Sequence, residues 1–217
     1  MGLRLLPLLA FALLAAACAA GAGAERAPPA AAGVTLIADR SSQGPRVRLN
    51  ETVTRSTYSV DGVTVPEIRS HLVNEAAAGG SDGKRYDGLT TWAVHWTFRY
   101  DHGGAACSLA NATIDVSIDV RLPRLSDAAV IAPDILDRWQ AYAAALEAHE
   151  MGHVDRESAV IDGLKDAFES AGPASDCSSL GDALNSLGND YVQQVRIADA
   201  AYDAETNHGQ TQGAVFP

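Results

Sequence analysis

Basic residues are scarce in this chain: 16 Lys and Arg stand against 27 Asp and Glu, for a formal net charge of −11. No basic patch is visible, and binding a phosphate backbone needs one, so nothing points to a nucleic-acid partner. The acidic residues are scattered and read as a solvated surface. Beyond the first two dozen residues no apolar run is long enough to span a bilayer. Cysteine is nearly absent, with three in 217 residues, so a cysteine-rich zinc site has no ligands to draw on. No internal repeat and no second domain are visible. At 47% hydrophobic and 20% charged, the chain suits one domain with a real core.

The N-terminus reads as an export signal. Met1-Gly2-Leu3-Arg4 gives a short positive start, Leu5 to Ala17 an apolar core, and small residues follow. Two endings fit. Cleavage after Ala24 follows the pattern Ala22-Gly23-Ala24 and releases a secreted or periplasmic protein. Leu14-Ala15-Ala16-Ala17-Cys18 resembles a bacterial lipoprotein signal, which would place a lipid anchor at Cys18. The expected organisation is a signal peptide over 1–24, an Ala- and Pro-rich leader over 25–33, and a single domain over 34–217. Cys18 lies in the signal, which leaves Cys107 and Cys177. Two cysteines in an oxidising compartment are expected to pair. Their bridge would tie the sheet to the turn between the last two helices.

The periodicities predict an α+β fold: an antiparallel sheet packed on one long helix, with a second, antiparallel helix at the C-terminal end. Val34–Ala38 and Arg46–Val60 read as strands, Asp61-Gly62 as a turn, and Val63-Thr64-Val65 as extended. A helix follows from Pro66. Leu89–Tyr100 alternates, with Trp92, Val94, Trp96 and Phe98 on one face and His95 on the other. Cys107–Leu122 alternates too, and the two segments predict an antiparallel hairpin. Its edge strand could pair with an extended peptide. Pro133 to about Ala171 carries a helical stripe through Ile135, Trp139, Tyr142, Leu146, Val160, Leu164 and Phe168. A last helix runs to about Thr206, capped by Ser178-Ser179, with a kink expected at Gly188-Asn189.

The long helix carries the chemistry. His149 and His153 are four residues apart and fall on its inward stripe, where buried imidazoles need partners. That spacing lets both reach one Zn²⁺, and Glu150, directly after the first, stands beside the open position as a general base. Glu157 is one turn further along and too distant to share the ion, so it reads as an outer partner of an imidazole N–H or as a solvated or ion-paired residue. The third ligand should come from the C-terminal stretch. Counting back from the helical turn brings the neighbourhood of Ala200 level with the metal. His208 is the first choice, returned by a chain reversal at Gly209, with Glu205 and Asp203 as alternatives. Tyr202 is a candidate oxyanion donor, or else core packing.

The histidine-glutamate motif, the strand region at Cys107, and above all Tyr202-Asp203-x-x-Thr206-x-His208-Gly209-x-x-Gln212-Gly213-Ala214 resemble the DUF922 family of exported bacterial proteins. The resemblance runs from about Thr57 to Pro217. It implies a zincin-like fold and a zinc-dependent protease activity, and it names no substrate. The expected function is an exported zinc metallopeptidase. It would hold one Zn²⁺ on His149, His153 and His208, with Glu150 and Tyr202 as catalytic groups, and act on a peptide or protein substrate. The alternative is a non-catalytic, zinc-stabilised envelope binding module, its fourth position closed by Glu205 or Asp203.

Overall fold

Two strands far apart in sequence lie side by side at the centre of the protein. In this computed structural model, which describes residues 33–78, 84–104, 106–126 and 128–217, β2 (Val47–Val60) pairs parallel with β6 (Ser108–Leu125). The antiparallel partner β1 (Val34–Gln43) flanks β2, and β5 (Leu89–Asp101) flanks β6 as the expected antiparallel hairpin. The four-stranded order is β1-β2-β6-β5. The α+β class stands, but the sheet is mixed where an antiparallel one was expected. The chain leaves β2 through helix α1 (Val65–Glu75) and a two-stranded ribbon, β3 (Ala77–Ala78) with β4 (Arg85–Tyr86), before the hairpin begins. That excursion returns β6 in the direction of β2. The expected signal peptide, and the leader through residue 32, lie outside the described residues.

Local signals explain the elements and correct three expectations. The first strand extends to Gln43. Thr64 is the N-cap of α1, in a capping box with Glu67, so Val63-Thr64-Val65 is a helix start and not a strand. The last helix, α3 (Cys177–Thr206), is capped by Asp176, whose side chain accepts from the Ser179 N–H. It continues through Gly188, where the absent side chain admits the Trp96 ring.

Helix α2 (Pro133–Glu169) lies on the sheet with its stripe inward: Trp139, Tyr142, Leu146, Ile161, Leu164 and Phe168 are all buried. Fully burying such side chains stabilises by about 1.5–3 kcal/mol each. The central strands Val47, Leu49, Ile114, Ile118 and Val120 meet them. A buried Glu51 on β2 accepts from Arg40 on β1 (2.8 Å) and from Ser158 on α2 (3.0 Å), pinning both strands to the helix. The two long helices run antiparallel: Tyr202 covers Gly152 and Tyr191 covers Gly163, so eleven residues on in α2 meet eleven residues back in α3. Cys107 and Cys177 form the expected disulfide, with 5.1 Å between their Cα atoms, and tie the start of β6 to the start of α3. Among the described residues no helix is long and apolar enough to cross a membrane.

After α3 the chain turns back on itself. Asn207, His208 and Gly209 all take positive φ (49°, 51° and 77°), so the reversal expected at Gly209 begins two residues earlier. A side chain at Gly209 would meet the His149 ring at 2.9 Å. Phe216 then buries itself against Trp139 and Tyr142, with ring centroids 5.6 and 5.5 Å away.

Candidate metal centre

One turn apart on α2, the rings of His149 and His153 meet edge to face with centroids 5.0 Å apart, both buried. Their Nε2 atoms converge on one oxygen of Asp203, at 3.4 and 3.2 Å. His149, His153 and Asp203 thus offer three ligand atoms within 4.8 Å of one another. Asp203 sits three residues past Ala200, close to the level that the antiparallel count gives. His208 adjoins the same oxygen from the other side, its Nδ1 at 3.3 Å. Its Nε2 lies 3.1 Å from the Tyr86 hydroxyl, and the two rings stack at 4.4 Å. Three imidazoles therefore surround a single carboxylate oxygen. Glu205 is exposed.

Both helix histidines are fixed from behind. His149 Nδ1 lies 3.0 Å from Gln212 Oε1, and His153 Nδ1 lies 3.1 Å from Asp199 Oδ1. Binding each Nδ1–H to an acceptor leaves Nε2 as the ring atom aimed at the common point, the arrangement that orients imidazoles toward a metal. Tyr202 stacks on His149 at 5.0 Å, and its hydroxyl accepts from Gln212 Nε2 at 3.1 Å, on the Nδ1 side of that imidazole. The Arg156 guanidinium lies over the Tyr202 ring, 3.5 Å from its centroid. Thr206 receives the Gly209 N–H at 3.2 Å and so holds the turn that brings Gln212 back.

The electrostatics suit a cation. Burial opposes a charge on His153, but hydrogen bonds to Asp199 and Asp203 outweigh it and push its pKa up to about 10. Burial would likewise raise Asp203, yet hydrogen bonds from His149 and His153 hold it well below the usual carboxylate range. The carboxylates around His153 thus favour a positive charge at this point. Imidazole and carboxylate at these separations are a donor set that fits zinc.

Glu150, next to His149 on α2, is buried and interacts electrostatically with both histidines. Burial raises its pKa, against the opposing pull of Thr90 and the two histidines. Thr90 Oγ1 donates to its Oε2 at 2.8 Å. Gly88 lies against Oε1, where a Cβ would come within 2.5 Å. The turn carrying Gly88 is held by its neighbour Asp87, which accepts from Arg69 (2.9 Å) and Tyr142 (2.8 Å). Glu157 is buried with one oxygen unpartnered, and burial beside Asp199 pushes it up to about 9. It is a neutral acid next to the carboxylate that supports His153, rather than the ion-paired residue considered from sequence.

A cleft of about 900 Å³ opens over these groups, bounded by β5 residues, α3 and the returning C-terminal segment. Sequence reasoning did not assign Thr90, Gly88, Tyr86 or Asp199 to the site. For Asp199 a signal existed: Asp199, Asp203 and Thr206 repeat at steps of four and three along a helix whose buried face is otherwise apolar.

The model of a family described as a bacterial protein of unknown function (DUF922) matches residues 55–209, well over half of the chain. No curated protein and no solved structure matches it. The chain belongs to that family, whose description states no activity.

Proposed function

Starting from that membership, we propose that this DUF922 protein is an exported zinc-dependent peptidase. The observation that carries the reading is the pair of Nε2 atoms aimed at one carboxylate oxygen, each imidazole locked from behind, with a buried carboxyl of raised pKa alongside. His149, His153 and Asp203 would hold one Zn²⁺. When bound there, zinc supplies a Lewis acid that polarises a carbonyl and makes water a better nucleophile.

The chain's own residues do the rest. Glu150 takes the proton of the attacking water and delivers it to the departing amine nitrogen. Its raised pKa brings it nearer to neutrality, where one group can serve as base and then acid. Thr90 fixes which oxygen is free for that exchange. His208 and Tyr86, bonded to each other, line the cleft beside Asp203 and would turn to the carbonyl oxygen as it becomes negative. Tyr202 positions His149 through Gln212. The edge strand β5 borders the cleft and offers its backbone to an extended peptide. Export rests on the N-terminal sequence and agrees with the disulfide.

Metal analysis and one substitution test this. The purified chain should carry about one zinc. Glu150→Gln should keep it and lose cleavage of a denatured protein substrate, while equal cleavage by the variant removes Glu150 as the base.

One observation favours a second reading. Because His208 Nδ1 also lies 3.3 Å from the Asp203 oxygen, a shift of that imidazole would bring a fourth side chain to the group of three and leave no place for water, as in a structural zinc site. X-ray absorption separates the two: a water in the zinc shell supports the peptidase, and four protein ligands support a binding module.

A further inference from the structure

The chain carries a net charge of −11, yet four cationic residues, Arg69, Lys84, Arg85 and Arg196, line the same cleft. The carboxylates that line it are turned inward and engaged. Asp87 is taken by Arg69 and Tyr142, and Glu150 by Thr90. Asp199 holds His153 and the Trp92 indole, and Asp203 the imidazoles. None of these answers Arg85 or Arg196. Arg85 donates instead to a neutral carbonyl, that of Asn74, at 3.2 Å. Arg196 is exposed on α3, one turn before Asp199 and on its face.

The two arginines come from different elements, Arg85 from β4 and Arg196 from α3. Arg85 precedes Tyr86, whose ring stacks on His208. Arg196 stands beyond Asp199, where the Trp92 indole bonds that carboxylate at 3.2 Å and β5 meets α3. Seven helical residues separate Arg196 from Asp203, about 10 Å along the axis. An extended peptide rises about 3.3 Å per residue, so Arg196 stands level with a substrate residue about three positions from the metal centre.

We propose that the cleft selects peptides bearing acidic side chains on either side of the bond to be cleaved, with Arg85 and Arg196 receiving their carboxylates. This rests on the peptidase reading and supplies its substrate class. The acidic exterior sharpens the selection, since such a peptide is repelled elsewhere on the surface and attracted only at the cleft.

The test uses zinc-loaded, full-length Glu150→Gln protein and a random decapeptide library with amidated C-termini, so that only side chains can supply carboxylates. Peptides retained at low salt are sequenced. Asp and Glu should be enriched about threefold over the input, the scale of exposed charge pairs. The enrichment should fall away at high salt and with Arg85→Gln plus Arg196→Gln. Arg196→Glu should shift the retained pool toward Lys and Arg, a change of sign that a merely misfolded variant cannot produce. Retention without acidic enrichment overturns this inference and leaves the peptidase reading standing. Failure to retain any peptide overturns both.

Discussion

Substituting Gly88 by alanine should disable Glu150 without touching the metal. The glycine has an ordinary φ, so the backbone accepts a side chain; space is the obstacle. The added methyl would stand 2.5 Å from Glu150 Oε1 and 3.0 Å from Leu146 Cδ1, where ordinary contact begins at 3.4 Å. Relief requires the carboxyl to retreat by about 0.9 Å. Its other oxygen is tied to Thr90 at 2.8 Å, so the movement also strains that hydrogen bond. A displacement of about 1 Å at a reacting group costs about a hundredfold, or about 2.7 kcal/mol of barrier. His149 and His153 keep their supports on Gln212 and Asp199, so zinc content should not change. The assay pairs kcat/KM on a peptide substrate with zinc per chain by atomic absorption. A variant that keeps its zinc and cleaves within about threefold of the parent would show that Glu150 is not held in a critical position, and the argument from its packing would fail.

Asp203→Ala should weaken zinc binding by more than His208→Ala does, measured by competition with a chromogenic chelator; the reverse order would give His208 the third place. Glu157→Gln should flatten the pH dependence of stability in the metal-free protein. The carboxyl rises from 4.5 to about 9 on folding, so the folded chain keeps a proton that the unfolded chain releases, and stability falls as pH climbs through that window. At pH 7 the variant should gain up to about 3 kcal/mol in urea unfolding, with no gain near pH 4. Replacing Cys107 and Cys177 by serine opens a loop spanning 70 residues and should cost up to about 4 kcal/mol, seen as a melting point lower by roughly 10 °C.

What the sequence discloses is what short-range geometry decides. The inward stripe of α2, the alternation of β5 and the antiparallel helix pair follow from spacing alone, and they carry His149, Glu150 and His153 to their places. The level of Asp203 follows as well, because two helices joined by a short turn must run back along each other. Which α3 side chain turns inward does not follow, since it depends on the rotation of that helix about its axis. Tyr202 illustrates this. On the apolar stripe it could face the cleft or the neighbouring helix, and the absent side chain at Gly152 admits its ring there. The parallel contact of β2 with β6 is also hidden, because no local signal sets the direction in which a strand returns after a helix and a ribbon. Tyr86 and Gly88 lie in a stretch without periodicity, held in place by Asp87 and its distant partners on α1 and α2.

The returning C-terminal segment has a consequence for the order of assembly. His149 meets Gln212 only across 63 residues of chain, and Phe216 fastens that segment beneath α2 still later. A chain that emerges N-terminus first presents both helix histidines long before their supports exist. If the site takes a metal as proposed, its tight capture would wait for the segment that carries Gln212 and Phe216.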